Sequence, residues 1–358
     1  MSDRYARWRE RLAGVRARGQ HRVVHPITPT GPTTGLLDGR ELVLACTNDY
    51  LGLAWDPAVR AAATGGGSGA SRLISGTRPL HAELEAELEA RFGRPALVLP
   101  SAWHANLAVM QAVVEPGDLV ASDALNHASI IDGLRLSRAE RVVVPHADPT
   151  AIPDGARLVV VEGLFSMDGD IPDLRRYPAG PWLAVDDAHG VGALGPGGRG
   201  AAAAQGVTPD ILVGAFGKAY GAAGGFVVGP PELRELLINV ARSFIFTTAA
   251  PEPVLAMALA GLRRADDGLR EQLAANVTYL RTALRQQGWD PLGSAHIVPI
   301  VVGPSVMSLG ARLREKGVYA PGIRWPTVPE GQERIRLTVS AAHTREQLDR
   351  VADALGSP

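Results

Sequence analysis

The side chains able to do covalent chemistry are scarce in this chain, so their positions are informative. Of 36 basic residues only Lys218 and Lys316 are lysines. Lys316 ends the amphipathic run LGARLREKG and reads as a solvated charge. Lys218 lies in DILVGAFGKAYGAAGGFVVG, with apolar and glycine residues on both sides. A cation there must shed water, which lowers its pKa and frees the amine to attack a carbonyl; arginine could not do this. Other polar groups fall at the ends of apolar runs. Ser101-Ala102-Trp103 follow ALVLP, Asn126-His127 follow DLVAS, Glu162 and Ser166 follow RLVVV, and Asp186 and His189 close WLAV. Singly, each has an ordinary role: Asp186 could cap a helix, and either histidine could be a hydrogen-bonded core residue. Together they form the set that pyridoxal phosphate chemistry demands. The amine holds the aldehyde as an imine, and the carboxylate keeps the pyridine nitrogen protonated so that the ring accepts electrons from Cα. An imidazole can stack on the ring, a hydroxyl can bond the phenolic oxygen, and glycine turns or helix N-termini can take the phosphate.

These groups need a scaffold that brings strand ends together. The runs at 96–100, 118–122, 141–145, 157–162, 182–186, 210–214 and 225–229 are short and rich in β-branched residues. Helical patterns separate them, such as Leu80, Leu84, Leu88 and Phe92 in step. That alternation predicts an α/β fold with a buried, mostly parallel sheet, whose ligands sit beyond the carboxyl ends of the strands. After Pro251 the texture changes to a helical stretch at 253–287, then HIVPIVVG, a helix near 305–316, RIRLTVS and a last helix from Thr344. The expected organisation is an N-terminal helical arm (1–40, with Tyr5, Trp8, Leu12 and Val15 at helical spacing), a large cofactor-binding domain (41–250) and a small C-terminal α+β domain (251–358). The alanine run 201–204 reads as a helix start.

Composition narrows the class further. With 36 basic and 37 acidic residues the net charge is −1, so nucleic acid and anionic membrane are not expected partners. A single cysteine, Cys46, excludes a disulfide framework and a thiolate metal site, and no metal is expected. The start MSDRYARWRERLAG lacks an apolar signal core, and residues 211–230 carry six glycines and a lysine, which argues against a membrane span. A cytoplasmic enzyme is the expectation. Walker A fails because Leu212 stands where its first glycine belongs and Ala219 replaces Ser/Thr. GPGGRG (195–200) and GGGSGA (65–70) match the dinucleotide fingerprint formally, without a clean strand-to-helix context.

The strings TNDYLGL (47–53), GGSGASRLISGT (66–77), NHASIIDG (126–133), VEGLFSMDGD (161–170), VDDAHGVGALGPGGRG (185–200), GAFGKAYGAAGG (214–225) and FTTAAP (246–251) span nearly the whole chain. In this order they resemble the α-oxoamine synthases, pyridoxal phosphate enzymes of fold type I, the aspartate aminotransferase type. WPTVPEGQERIRLTVSAAHT (325–344) is most similar to the biotin-pathway branch. The resemblance implies a homodimer with shared active sites and a decarboxylating condensation of L-alanine with pimeloyl-CoA or a pimeloyl carrier protein. It also implies roles for residues. Lys218 would hold the cofactor and act as base on Cα, Asp186 would pair with the pyridinium nitrogen, and His189 and Ser166 would contact the phenolic oxygen. His127 would stack on the ring and assist proton transfer. The backbone at Ala102 and Trp103 would meet the phosphate, with Thr248 from the neighbouring subunit. Arg336 would grip the α-carboxylate, with Asn48 and Arg22 near the substrate. Two departures touch the phosphate cup: Ala215 stands where the family has Ser/Thr, and Ala102-Trp103 replace glycine and Tyr/Phe. Rival readings are glycine C-acetyltransferase or another synthase of the family, a threonine-aldolase type of lyase, and a nucleotide-dependent oxidoreductase.

Overall fold

The computed structural model describes residues 3–358. The seven apolar runs form one sheet. Across it the strands are Ala96–Leu99, Gly225–Val228, Ile211–Ala215, Trp182–Asp186, Leu158–Glu162, Leu119–Asp123 and Glu140–Val144. All pair parallel except Gly225–Val228, which runs antiparallel to both neighbours. The continuous apolar character of the inner strands follows from helices on both faces, with alternate residues serving each. Leu97, Leu99, Val160 and Val213 pack toward the helices Ala102–Ala112 and Ala128–Ser137. Val98, Val161, Leu212 and Phe226 pack toward Pro79–Phe92 and Glu252–Arg264. In Pro79–Phe92 the predicted stripe holds, Leu84 and Leu88 being fully buried.

The stretch at 253–287 is two helices rather than one. Glu252–Arg264 stops, and Asp266 starts Asp267–Gln286 by accepting from Leu269 N at 2.9 Å. An aspartate N-cap breaks a run whose periodicity alone reads as continuous. The predicted helix at 201–204 is a single turn, Ala201–Ala204. Toward the C-terminus, Ile297–Val301, Arg334–Thr338 and Gly322–Ile323 make an antiparallel sheet. Val306–Glu315 and Arg345–Leu355 accompany it, the latter capped by Thr344 accepting from Gln347 N. The helix Ala6–Ala17 buries no residue. Beyond it, Arg40–Leu44 pairs antiparallel with Thr34–Leu37 and parallel with Val318–Tyr319, so the start of the chain is stitched to its C-terminal third. Among the described residues no helix is long and apolar enough to cross a membrane, and no His/Cys/Asp/Glu cluster could hold a metal ion.

Candidate active site

The site begins with two carboxyl groups at neighbouring strand ends. Asp186 closes Trp182–Asp186, Glu162 closes Leu158–Glu162, and the two are register partners, so their side chains share a face. Both are buried. Burial first, and the Asp186 charge second, push the Glu162 carboxyl well above its usual range. Asp186 accepts from Asn106 Nδ2 at 2.6 Å and from Ala188 N at 3.1 Å. Both donors are neutral. A buried carboxylate so supplied still favours a cation, which a pyridinium nitrogen provides.

Lys218 stands in the turn after Ile211–Ala215 and is half-buried. Its dense surroundings push the ammonium down to about 8 through burial, while Asp186 and Glu162 hold it up and Arg336 opposes them. At pH 7 about a tenth of such an amine is unprotonated, and it is reachable from solvent, as carbonyl attack requires.

The two predicted imidazoles occupy different positions in the network. His127 caps the helix Ala128–Ser137, its Nδ1 2.7 Å from Ser129 Oγ. Its pKa is lowered by burial and by Lys218, against the pull of Asp186. His189 is buried, and burial, helped by Lys218 and Arg336, holds it neutral. Its Nδ1 lies 2.6 Å from Tyr50 Oη, which in turn donates to Asn48 Oδ1 at 3.1 Å. His296 Nε2 donates to the His189 carbonyl at 3.1 Å, and its ring centroid lies 4.0 Å from that of Tyr50.

Arg336 arrives from Arg334–Thr338 and crosses to the large sheet. Its Nε donates to the Ser166 carbonyl, and both terminal nitrogens lie 3.4 Å from Asn48 Oδ1. One guanidinium thus ties together segments 288 residues apart in sequence. The neighbouring Arg334 bonds Asp168 Oδ1 at 2.5 Å, which fixes the same loop.

Ala102 and Trp103 open the helix Ala102–Ala112, where Ser101 caps by accepting from His104 N at 3.2 Å. The helix can start this close to the sheet because residue 225 is glycine: a Cβ there would lie 2.3 Å from Ala102 N. The free N–H groups of that first turn suit an anion. Trp103 stands edge-on to His127 at 5.7 Å. Thr248 is exposed and bridged to Ser71. Arg22 makes none of these hydrogen bonds; it lines a cavity of about 500 Å³ with His21, His25, Arg314 and Arg324, and Thr327 Oγ1 lies 3.4 Å from its guanidinium.

The predicted residues Lys218, Asp186, His127, His189, Asn48, Ser166 and Arg336 therefore lie in one network of charge and hydrogen bonds. Asn106, Ser129, Tyr50 and His296 belong to it as well, and sequence reasoning passed over them. For Asn106 a signal existed: it is a polar residue on the buried face of an otherwise apolar helix, beside Ala105, Ala108 and Val109.

The sequence profile of the family described as aminotransferase class I and II matches residues 40–355. Similar proteins include the 8-amino-7-oxononanoate synthase of Geobacter metallireducens, 45% identical over 95% of each chain. That of Geobacter sulfurreducens is 44% identical over 96% of this chain and 95% of its own. Among solved structures, the Sphingomonas wittichii serine palmitoyltransferase superposes with a TM-score of 0.90 at 30% identity, covering 99% of this chain and 97% of that one. The 8-amino-7-oxononanoate synthase of Francisella tularensis does so with a TM-score of 0.76 at 27% identity, over 88% and 96%. A strand-end lysine, its in-register carboxylates and a profile match across nearly the whole chain agree: the protein belongs to the class I and II aminotransferase family, among its α-oxoamine synthases.

Proposed function

We propose that the protein is a pyridoxal phosphate-dependent acyltransferase that joins L-alanine to a pimeloyl thioester, carried on CoA or a carrier protein. The products are 8-amino-7-oxononanoate, the free thiol and carbon dioxide. The observation that carries the reading is the placement of the Lys218 amine, lowered to about 8 by burial, in the turn after Ile211–Ala215, on the sheet edge where Asp186 and Glu162 end neighbouring strands. When bound, pyridoxal phosphate supplies an aldehyde for that amine and a protonated ring that accepts the electron pair left at Cα.

Each residue then has a task. Lys218 would hold the cofactor through its amine and would be the base for the Cα proton of alanine. Asp186 holds a proton on the ring nitrogen, and His127 covers the ring face. His189 and Ser166 serve the phenolic oxygen. Arg336, already facing Asn48, receives the alanine carboxylate in a two-pronged contact. The first turn at Ala102 and Trp103 takes the phosphate through backbone N–H groups, which compensates for Ala215 where a hydroxyl is usual. The cavity around Arg22, Arg314 and Arg324 is positively charged, which suits the distal carboxylate of a pimeloyl chain.

We also propose a homodimer with Thr248 given to the partner's site. Thr248 is exposed, and Leu73, Ile74 and Phe246, exposed by 51%, 81% and 71%, occur in the two segments that its bridge to Ser71 joins. That much apolar surface suits a second copy.

A second reading has a specific observation behind it, since the serine palmitoyltransferases superpose with higher TM-scores than the Francisella synthase. Backbone likeness reports the scaffold, whereas substrate choice depends on side chains, which sequence identity follows better. The test measures thiol and carbon dioxide release with alanine and pimeloyl-CoA, glycine and acetyl-CoA, and serine and palmitoyl-CoA. Turnover with the first pair, with a product of the expected mass, is the expected result. Turnover confined to another pair overturns it in favour of that synthase.

A further inference from the structure

One hydrogen-bonded chain joins Asp186 to His127. Asn106 Nδ2 lies 2.6 Å from Asp186 Oδ2 and 2.8 Å from Ser129 Oγ, and Ser129 Oγ lies 2.7 Å from His127 Nδ1. Asn106 and Ser129 are 1% and 0% exposed, so water does not compete for these bonds. The direction of each bond follows from its chemistry. A carboxylate accepts, so the Asn106 amide must present its NH2 group; a flipped amide would set Oδ1 against Asp186. With both Asn106 protons given away, Ser129 Oγ is an acceptor there, and its one hydroxyl proton is left for His127 Nδ1. The Ser129 backbone N–H also points at that nitrogen, at 3.3 Å. Two donors converge on Nδ1, so the imidazole proton resides on Nε2.

We propose that Asn106 and Ser129 are positioning residues that transmit the orientation of Asp186 to His127 and impose the Nε2–H tautomer on it. Asn106 Oδ1 adds a second observation: it is buried without a hydrogen-bond partner. A fold that only filled space here would use an apolar residue at less cost, whereas a retained orphan carbonyl marks an amide kept for its two donors. The proposal rests on the site reading above, in which His127 covers the ring. A fixed tautomer presents a defined N–H edge at Nε2 and prevents the imidazole from rotating out of plane when charge develops beside it.

The test is a two-bond ¹H–¹⁵N correlation spectrum of cofactor-free protein labelled at its nine histidines. The His127 signals are identified by their loss in His127→Gln. The wild type should show the Nε2–H pattern for His127. Ser129→Ala should convert it to a mixture with substantial Nδ1–H, Asn106→Leu should do likewise, and Ser129→Thr, which keeps the hydroxyl, should restore it. In the loaded enzyme Ser129→Ala should weaken cofactor binding about fivefold, the worth of one buried hydrogen bond. Its kcat should fall with little change in the amino acid's KM. A wild-type Nδ1–H pattern, or a tautomer unmoved by Ser129→Ala, overturns the proposal. Because the spectrum needs neither substrate nor turnover, this failure is distinct from failure of the proposed reaction.

Discussion

Lys218 permits a quantitative test of the site's electrostatics. An ordinary lysine titrates near 10.5 and this one near 8. Covalent capture of added pyridoxal phosphate by cofactor-free protein requires the neutral amine. From the Henderson–Hasselbalch relation, the neutral fraction at pH 7.5 is about 0.24 for a pKa of 8 and about 0.001 for an unperturbed lysine. Raising the pH to 9 takes these to about 0.9 and 0.03. The rate constant for capture, followed as the visible band grows under excess aldehyde, should thus rise only about fourfold and then level off. An unperturbed amine would give about thirtyfold and no plateau. Lys218→Met should abolish the band. It should also stabilise the cofactor-free protein near pH 7, by up to about 3 kcal/mol, since the depressed pKa is a penalty on folding. The sign is definite: a lysine whose folded pKa lies below its unfolded one costs stability at low pH, and the cost fades as pH rises from 8 toward 10.5. Capture that climbs thirtyfold between pH 7.5 and 9 would refute the assignment of Lys218 as a desolvated amine.

Three other outcomes follow from the geometry. Arg336→Lys keeps the charge but loses the fork, and should raise the KM for alanine by about ten- to a hundredfold with a smaller change in kcat; an unchanged KM removes Arg336 from carboxylate binding. Gly225→Ala places a Cβ against Ala102 N and should displace the first turn of that helix, weakening cofactor retention on dialysis without loss of far-ultraviolet helicity. His146 lies 3.0 Å from both Asp123 Oδ1 and Asp170 Oδ2. Burial lowers its pKa, but hydrogen bonds to Asp123 and Asp170 overcome that and raise it to about 10. Its contribution to stability is full below about pH 6.5 and is lost as pH rises through 10, so wild-type Tm should fall over that window more steeply than that of His146→Gln. Equal slopes would show that the clamp carries no net charge coupling.

The seven central strands were legible because helices on both faces force continuous β-branched runs. Their carboxyl-end residues were legible for the same reason, since a parallel sheet gathers them on one edge. The order of the strands and the antiparallel course of Gly225–Val228 were not, because pairing is decided by long-range packing rather than by local pattern. The break at Asp266 was written in the sequence as an aspartate before a helical run, but periodicity masked it. Asn106 and Ser129 stayed hidden for a different reason. An amide and a hydroxyl are commonplace side chains, and their meaning comes only from facing Asp186 and His127 across two helices. Arg336 could be assigned through resemblance alone, because nothing local ties it to Asn48.

The pairing of Arg40–Leu44 with Val318–Tyr319, and the reach of Arg336 to Asn48 and Ser166, have a bearing on synthesis at the ribosome. The seven-stranded sheet and its lysine can emerge and begin to order while the last hundred residues are still unmade. The contacts of Arg336 with Asn48 and Ser166 cannot, so a nascent or prematurely terminated polypeptide would possess the lysine without the arginine that faces it. Competence therefore arrives late, when the final sheet closes back on the beginning of the chain.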